Sequence, residues 1–232
     1  TRRATKFGKT ACEKIVKELV NYDVTIISGL ADGIDTIALK TALDKEIEVV
    51  SVVGTGLDIV YPYENRDLWE RIGEVGTLIS EYPLGTQPTR WTFPRRNRII
   101  AGMSDGILVA ESFKKGGALI TAELGFSMNR EIFAIPGFIN YPSFEGCNDL
   151  IKNNKAKLTT CENDIAIEFL WDIKKEKSKV KQVYVAARDI KANNEVKPED
   201  LIREGVVTSV SNDKIVTPES LSATSRKCGI II

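Results

Sequence analysis

The fold of this chain is decided by residues 24–53, which read VTIISGLADGIDTIALKTALDKEIEVVSVV. The stretch opens with the β-branched run Val24–Ile27, which predicts a short buried strand that ends in a glycine turn. Apolar residues then recur at helical spacing over 34–42, and a second apolar run follows at 49–53. A strand, a turn, a helix and another strand are typical of a βαβ unit, whose two strands run parallel.

The same alternation continues on both sides of this unit. Helical spacing over 11–20 precedes it, and further short apolar runs follow at 77–79, 107–109 and 132–135, with a helix predicted over 119–128. Strands that are apolar on both faces are typical of a parallel sheet covered by helices on each side. Residues 1–172 are therefore predicted to form an α/β domain with a Rossmann-like, open, mostly parallel sheet and helices on both faces.

The composition changes after this domain. Residues 174–181 include five lysines and no large core residue, so residues 173–181 are predicted to be a solvated linker. Residues 182–232 contain short valine- and isoleucine-rich runs separated by turn residues, which predicts a small β-rich module.

The overall composition excludes several classes of site. The chain has 232 residues, 32 basic and 32 acidic side chains, and no histidine. It therefore cannot form a histidine-dependent catalytic dyad or a histidine-ligated metal site, and it lacks the global positive charge common in nucleic-acid binders. The four cysteines are scattered, which favours reduced thiols in a cytoplasmic protein. No apolar run approaches the ~18 residues needed to span a membrane, so no membrane partner is expected. We also expect no cofactor and no metal.

Glycine follows four of the predicted strands, at 29, 54–56, 116–117 and 137. Ligands of open parallel sheets lie beyond the carboxyl ends of the strands, and glycine lets backbone amides approach an anion there. Each such loop taken alone is more simply a tight βα turn. Four of them at one edge favour a phosphate-binding rim.

The most distinctive segment is RWTFPRRNR at 90–98, with four arginines, two aromatic residues and no carboxylate. Guanidinium groups bind phosphates and aromatic faces stack on bases, so this composition favours a single-stranded nucleic acid as the ligand. The alternative is a solvated arginine-rich turn without a ligand.

Several motifs in chain order resemble the DNA-processing protein A (DprA/Smf) family, over residues 1 to about 170. They are TR at 1–2, SGLADGID at 28–35, GTGLD at 54–58, YP at 61–62, SEYP at 80–83, FPRRNRIIAG at 93–102, GALITA at 117–122, FAIPG at 133–137 and GCN at 146–148. The resemblance implies a cytoplasmic protein, often dimeric, that binds single-stranded DNA, protects incoming DNA in natural transformation and loads a RecA-type recombinase. It implies no catalytic residue. The DNA-binding residues expected on this basis are Arg2, Ser28, Gly29, Phe93, Arg95, Arg96, Asn97, Arg98, Lys114, Gly116, Gly117 and Thr121.

The sequence departs from the family pattern in places. Leu39 stands where the family often has histidine, and Asp32 and Tyr63 stand at positions that are basic in some members. These changes could weaken DNA binding or alter the ligand. No winged-helix tail is found, and residues 182–232 instead show a short resemblance to the SAF (antifreeze-like) module.

The two ends of the chain prompt a further expectation. The family has a buried strand before the motif that contains Thr1, and the chain, which lacks a starting methionine, would then be a piece of a longer protein. Residues 228–232 (CGIII) have the composition of such a strand. We expect them to complete the sheet, either in the same chain or from a neighbour.

Two other functions stay open on the sequence. The segment 115–123 is similar to the signature of phosphoribohydrolases that cleave nucleoside monophosphates, with Glu123 as the candidate carboxylate; its simpler role is a charge at a helix N-terminus. The other alternative is a nucleotide-sensing module whose C-terminal part contacts a partner.

Overall fold

The computed structural model describes residues 1–173, 180–186, 201–207 and 228–231. The chain divides into two compact units, Thr1–Asp172 together with Ser225–Ile232, and Ile173–Thr224. The lysine-rich segment 174–179 lies outside the described residues. Among the described residues, no helix is long and apolar enough to cross a membrane.

The first unit is built on a sheet of seven parallel strands. In chain order they are β1 (Val24–Ser28), β2 (Glu48–Val53), β3 (Thr77–Ser80), β4 (Gly106–Val109), β5 (Glu131–Ala134), β6 (Lys157–Leu158) and β9 (Cys228–Ile231). Their spatial order is β3-β2-β1-β9-β4-β5-β6, and each neighbouring pair is parallel. The predicted Rossmann-like α/β fold is confirmed, with a sheet that is parallel throughout its described strands.

Helices cover both faces of this sheet. They are α1 (Lys6–Glu18), α2 (Ile34–Asp44), α3 (Arg66–Val75), α4 (Thr92–Met103), α5 (Gly117–Ser127), α6 (Glu145–Lys152) and α7 (Asn163–Glu168). Successive strand residues point to opposite faces, so Ile26 packs in the core with α1, α2, α3 and α7, whereas Ile27 packs in the core with α4, α5 and α6. Burial on both faces explains why the strands appear in the sequence as continuous apolar runs.

The C-terminal strand β9 lies in the middle of the sheet, hydrogen-bonded to β1 on one side and β4 on the other. The Asp105 backbone N–H donates to the Gly229 carbonyl at 2.8 Å, and the Gly229 N–H donates to an Asp105 carboxylate oxygen at 3.0 Å. Ile230 is completely buried in the core that contains α1 and α2. That this strand stands in for the one expected before Thr1 stays a proposal, and Ile232 lies outside the described residues.

The described part of the second unit is an antiparallel strand pair, β7 (Val180–Ala186) and β8 (Leu201–Val207), with Val183 opposite Glu204. The remainder of 182–227 lies outside the described residues, so the predicted β-rich, SAF-like module stays a prediction.

Candidate nucleic-acid interface

A cleft of about 670 Å³ opens at the carboxyl edge of the sheet, between the ends of β1 and β4. The chain leaves β1 toward α2 on one face and leaves β4 toward α5 on the other. The two connections therefore diverge, and such a point in an open α/β sheet is where a ligand crevice forms. Nine of the twelve expected DNA-binding residues line this cleft: Arg2, Ser28, Gly29, Phe93, Arg96, Asn97, Gly116, Gly117 and Thr121.

The loop after β1 is held in a fixed shape by the Asp35 side chain and by contacts with the Thr1 backbone. One Asp35 carboxylate oxygen accepts from the Gly29 N–H at 3.2 Å and from the Ala31 N–H at 3.3 Å. The backbone at Gly33 has a φ of +86°, and a side chain there would begin 2.2 Å from the Thr1 carbonyl oxygen. Glycine is therefore required, and the Ile34 N–H can bond that same carbonyl at 3.1 Å. These contacts anchor the segment that carries Arg2.

Arg96 is a buried clamp as well as a cleft residue. Its side chain is only 4% exposed; Nη1 donates to the Gly29 carbonyl at 2.9 Å and to the Val52 carbonyl, and Nε donates to Asn97 Oδ1 at 3.1 Å. Burial lowers the pKa of the guanidinium to about 10. The sequence suggested only a phosphate contact; the structure shows that Arg96 also ties the ends of β1 and β2 to α4. Nη2 makes no hydrogen bond to a described residue, which leaves a donor group for a ligand.

Arg95 and Arg98, by contrast, do not line the cleft. Both are exposed, and both pair with the Glu81 carboxylate, Arg95 at 3.7 Å. The segment that could have been an arginine-rich turn is the helix α4, and positions 95 and 98 fall on its outer face. Arg96, Asn97 and Ile100, which lie three, four and seven positions after Phe93, fall on the face of α4 that lines the cleft.

Two aromatic residues flank the cleft in different ways. The Phe93 ring is partly buried, with the Tyr61 ring 5.4 Å away and the Arg2 guanidinium 5.5 Å from its centroid. Trp91 is 69% exposed, and the Arg90 guanidinium lies 4.6 Å from its ring. The Phe93 ring lines the cleft but is partly covered, and the Trp91 ring is more exposed but has the Arg90 guanidinium beside it, so both rings are candidates for stacking a base.

The N-terminus of α5 forms the opposite wall of the cleft. Nothing lies within 4 Å of the point where a side chain at Gly117 would begin, so the backbone there is open to a ligand. Thr121 lies one turn further on and is 9% exposed. Lys114 does not line the cleft; its ammonium group is exposed, 4.0 Å from the Asp149 carboxylate, at a shallower groove beside α5.

The cleft is electropositive. Among the described residues, its charged lining consists of Arg2, Arg90 and Arg96 against the single carboxylate of Asp35, which already accepts two backbone N–H groups. Within the described ranges no group of acidic or cysteine residues could hold a metal ion. Such an arrangement favours an anionic ligand with several phosphates.

The residues that departed from the family pattern, or suggested catalysis, lie mostly away from this lining. Leu39 is completely buried in the core, and the Tyr63 hydroxyl accepts from Arg66 at 3.3 Å on the exposed surface. Asp32 lies in a small crevice beside Arg2. Glu123, the candidate catalytic carboxylate, forms an ion pair with Lys155 at 2.7 Å and does not line the cleft.

Several residues that line the cleft were not among the twelve expected DNA-binding residues, because they are scattered along the chain. The main ones are Thr1, Asp35, Tyr61, Pro88, Thr89, Arg90 and Ser112. Thr1, Asp35 and Tyr61 do belong to quoted motifs, and Arg90 begins the arginine-rich stretch, so these four residues carried a usable signal.

Comparison with known proteins gives a consistent picture. The family model of DNA recombination-mediator protein A matches residues 1–170. The chain is 44% identical over 165 residues to Protein Smf of Synechocystis, covering 71% of this chain and 41% of that protein. It is 43% identical over 169 residues to DNA processing protein DprA of Streptococcus pneumoniae, covering 73% and 59%. The chain thus spans about two fifths to three fifths of the length of these curated relatives.

Two solved structures are similar to the same part of the chain. The X-ray structure of DprA from Streptococcus pneumoniae superposes with a TM-score of 0.69 at 42% identity, over 72% of this chain and 59% of that one. DprA from Helicobacter pylori gives a TM-score of 0.64 at 27% identity, over 73% and 77%. That second structure is described as revealing a single-stranded DNA binding mode of the Helicobacter protein.

Proposed function

Since the chain belongs to the family of DNA recombination-mediator protein A, we propose that it binds single-stranded DNA in the cleft between β1 and β4. The observation that carries this proposal is the lining of that cleft, where, in the part of the chain that the structure describes, three arginines face a single carboxylate that is already hydrogen-bonded. The single-stranded DNA binding mode described for the Helicobacter relative supports the same ligand.

The proposed roles of the cleft residues follow from their positions. Arg2 and Arg90 lie at the exposed rim and neutralise phosphates, and Arg96 adds a contact through its free Nη2. The open backbone at Gly117 cradles one phosphate at the N-terminus of α5. Phe93 or Trp91 stacks on a base. Lys114, Arg95 and Arg98 attract the strand from outside the cleft.

The wider role that we propose is that of a cytoplasmic recombination mediator without enzymatic activity, which protects incoming DNA in natural transformation and passes it to a RecA-type recombinase. Family membership supports this role. The ion pair between Glu123 and Lys155 argues against the alternative of a nucleoside-monophosphate hydrolase, because it engages the candidate carboxylate outside the cleft.

A homodimer is also part of the proposal. The outer edge of the sheet at β6 exposes Leu158, and the neighbouring α7 segment exposes Ile167 and Leu170. Lys157 bridges Glu131 and Glu168, so β6 and α7 are held together at this edge. On its outer side β6 pairs with no other described strand, and exposed apolar residues beside such an edge favour pairing with a second copy. A Leu170→Glu variant should shift the mass in solution from dimer to monomer, and a wild-type protein that is already monomeric would contradict this part.

The DNA-binding proposal is tested by titrating salt in a binding assay with single-stranded DNA, double-stranded DNA and a mononucleotide. Three arginine–phosphate contacts predict a log–log slope of affinity against salt of about −2 for single strands. Arg2→Ala should weaken binding and reduce the slope by about 0.7. The matched control is Arg71→Ala, which removes an arginine paired with Asp44 outside the cleft. Equal loss in both variants, or base release from the mononucleotide, would overturn the proposal.

A further inference from the structure

A second surface at the carboxyl edge of the sheet carries exposed aromatic residues. The loop after β5 exposes Phe138 by 61% and Tyr141 by 53%, and the first turn of α1 exposes Phe7 by 44%. We refer to Phe7, Phe138 and Tyr141 as the aromatic shelf. Three large rings facing solvent at one place are more than the scattered apolar residues of an ordinary surface.

The shelf is held in place from below. The Phe7 ring lies 5.8 Å from Phe138 and meets the buried Phe144 edge-on at 5.3 Å, and Phe138 lies 5.5 Å from Tyr141. The loop itself is fixed by two hydrogen bonds of 3.1 Å between the backbone of Gly137 and the Asn148 side chain. The exposed rings are therefore preorganised, which lowers the entropy that a ligand must remove on binding.

The shelf is connected to the DNA cleft by two elements. The chain that carries Arg2 at the cleft continues into α1, whose capping residue Thr5 donates its N–H to the buried Glu111 carboxylate at 2.9 Å. On the other side, Ser112 lines the cleft, and its carbonyl accepts from the Gly146 N–H at 2.9 Å at the start of α6. Cleft and shelf thus lie along the same edge of one rigid scaffold.

The charge around the shelf is suited to a polyanion. Residues 1–10 contain four basic side chains and no carboxylate, and both Arg3 and Lys6 are exposed between Arg2 and the shelf. One exposed carboxylate, Glu145, follows the loop at the start of α6. Exposed aromatic rings next to cations are typical of surfaces that track a single strand.

We propose that the aromatic shelf is a second DNA subsite, on which bases stack where the strand leaves the cleft past β5. This inference rests on the proposed DNA binding in the cleft. The rings bind through base faces and make no phosphate contact, while Arg3 and Lys6, between Arg2 and the shelf, neutralise phosphates of the strand that leads to it. The shelf thereby extends the length of DNA that the protein covers.

The test compares the 232-residue chain with its double variant Phe138→Ala/Tyr141→Ala on two oligothymidines, one of about six nucleotides and one of about twenty-five. Both side chains are exposed, so the variant should fold, and an unchanged melting temperature checks this. We expect affinity for the long strand to fall about tenfold or more, with affinity for the short strand and the salt slope unchanged. Restoring aromatic character with Phe138→Trp/Tyr141→Phe should recover long-strand binding.

The matched control is Ile139→Ala, which removes an apolar side chain that is 89% exposed on the same loop but has no ring. It should leave both affinities unchanged. If the double variant binds the long strand as well as the wild type, the subsite is wrong even though the cleft binds DNA. A change in solution mass, with DNA binding unchanged, would assign the shelf to a contact between protein chains instead. If the wild type binds neither oligomer at low salt, the proposed function itself fails.

Discussion

Replacing Arg96 with methionine should reduce stability as well as DNA binding. The guanidinium is buried and donates to the carbonyls at the ends of β1 and β2, Gly29 and Val52. Methionine fills part of the volume but leaves both carbonyls without these donors, at about 1–3 kcal/mol each. Release of a buried charge offsets part of this cost. We expect a net loss of about 2 kcal/mol in the free energy of unfolding, which for a unit of this size lowers the melting temperature by roughly 4–8 °C.

The matched variant is Arg95→Met, one position away on the same helix. Arg95 is exposed and its pair with Glu81 spans 3.7 Å, so removing it should change the free energy of unfolding by less than about 1 kcal/mol. Thermal denaturation followed by circular dichroism measures both variants, and DNA affinity is then compared below either transition. If Arg96→Met melts like the wild type yet loses DNA binding, Arg96 acts only as a phosphate ligand and the clamp is wrong. An equal decrease in melting temperature in both variants would contradict the orientation assigned to α4.

Three further predictions follow from the same contacts. Ile230→Ala opens a cavity in the core at the central strand β9 and should lower the free energy of unfolding, measured by urea denaturation, by about 2–5 kcal/mol. A loss below about 1 kcal/mol would contradict the position of β9 in the sheet. Glu81→Gln frees Arg95 and Arg98 from the carboxylate that they share, so single-stranded DNA should bind more tightly and with a steeper salt dependence. Weaker binding would contradict this prediction. Burial raises the pKa of the Cys12 and Cys147 thiols to about 12, so at pH 8 both should stay protonated and resist iodoacetamide until denaturant is added, as peptide mass mapping would show.

The α/β class and most element positions could be read from the sequence, because strands buried on both faces leave short β-branched runs between helical repeats. The run Val24–Ile27 predicted β1 to within one residue, and the predicted helix 119–128 corresponds to α5 at Gly117–Ser127. Local patterns of this kind depend only on which faces are buried.

The cleft was only partly predictable, because the arginine-rich stretch gave the residue types but not their directions. Once residues 92–103 form α4, helical geometry sends Arg96 inward and Arg95 outward. Composition cannot distinguish neighbouring arginines that serve as a buried clamp and as a surface ion pair.

The sequence by itself therefore determined the layers of this domain and the chemistry of its loops. Composition already marked residues 228–232 as a strand of this sheet. Tertiary structure decided that the ends of β1 and β4 meet at one cleft, and that Cys228–Ile231 takes its place between these two strands, some two hundred residues away from β1 in the chain. The physical reason is that pairing between distant strands depends on the packing of the whole sheet. No local pattern of residues records that packing.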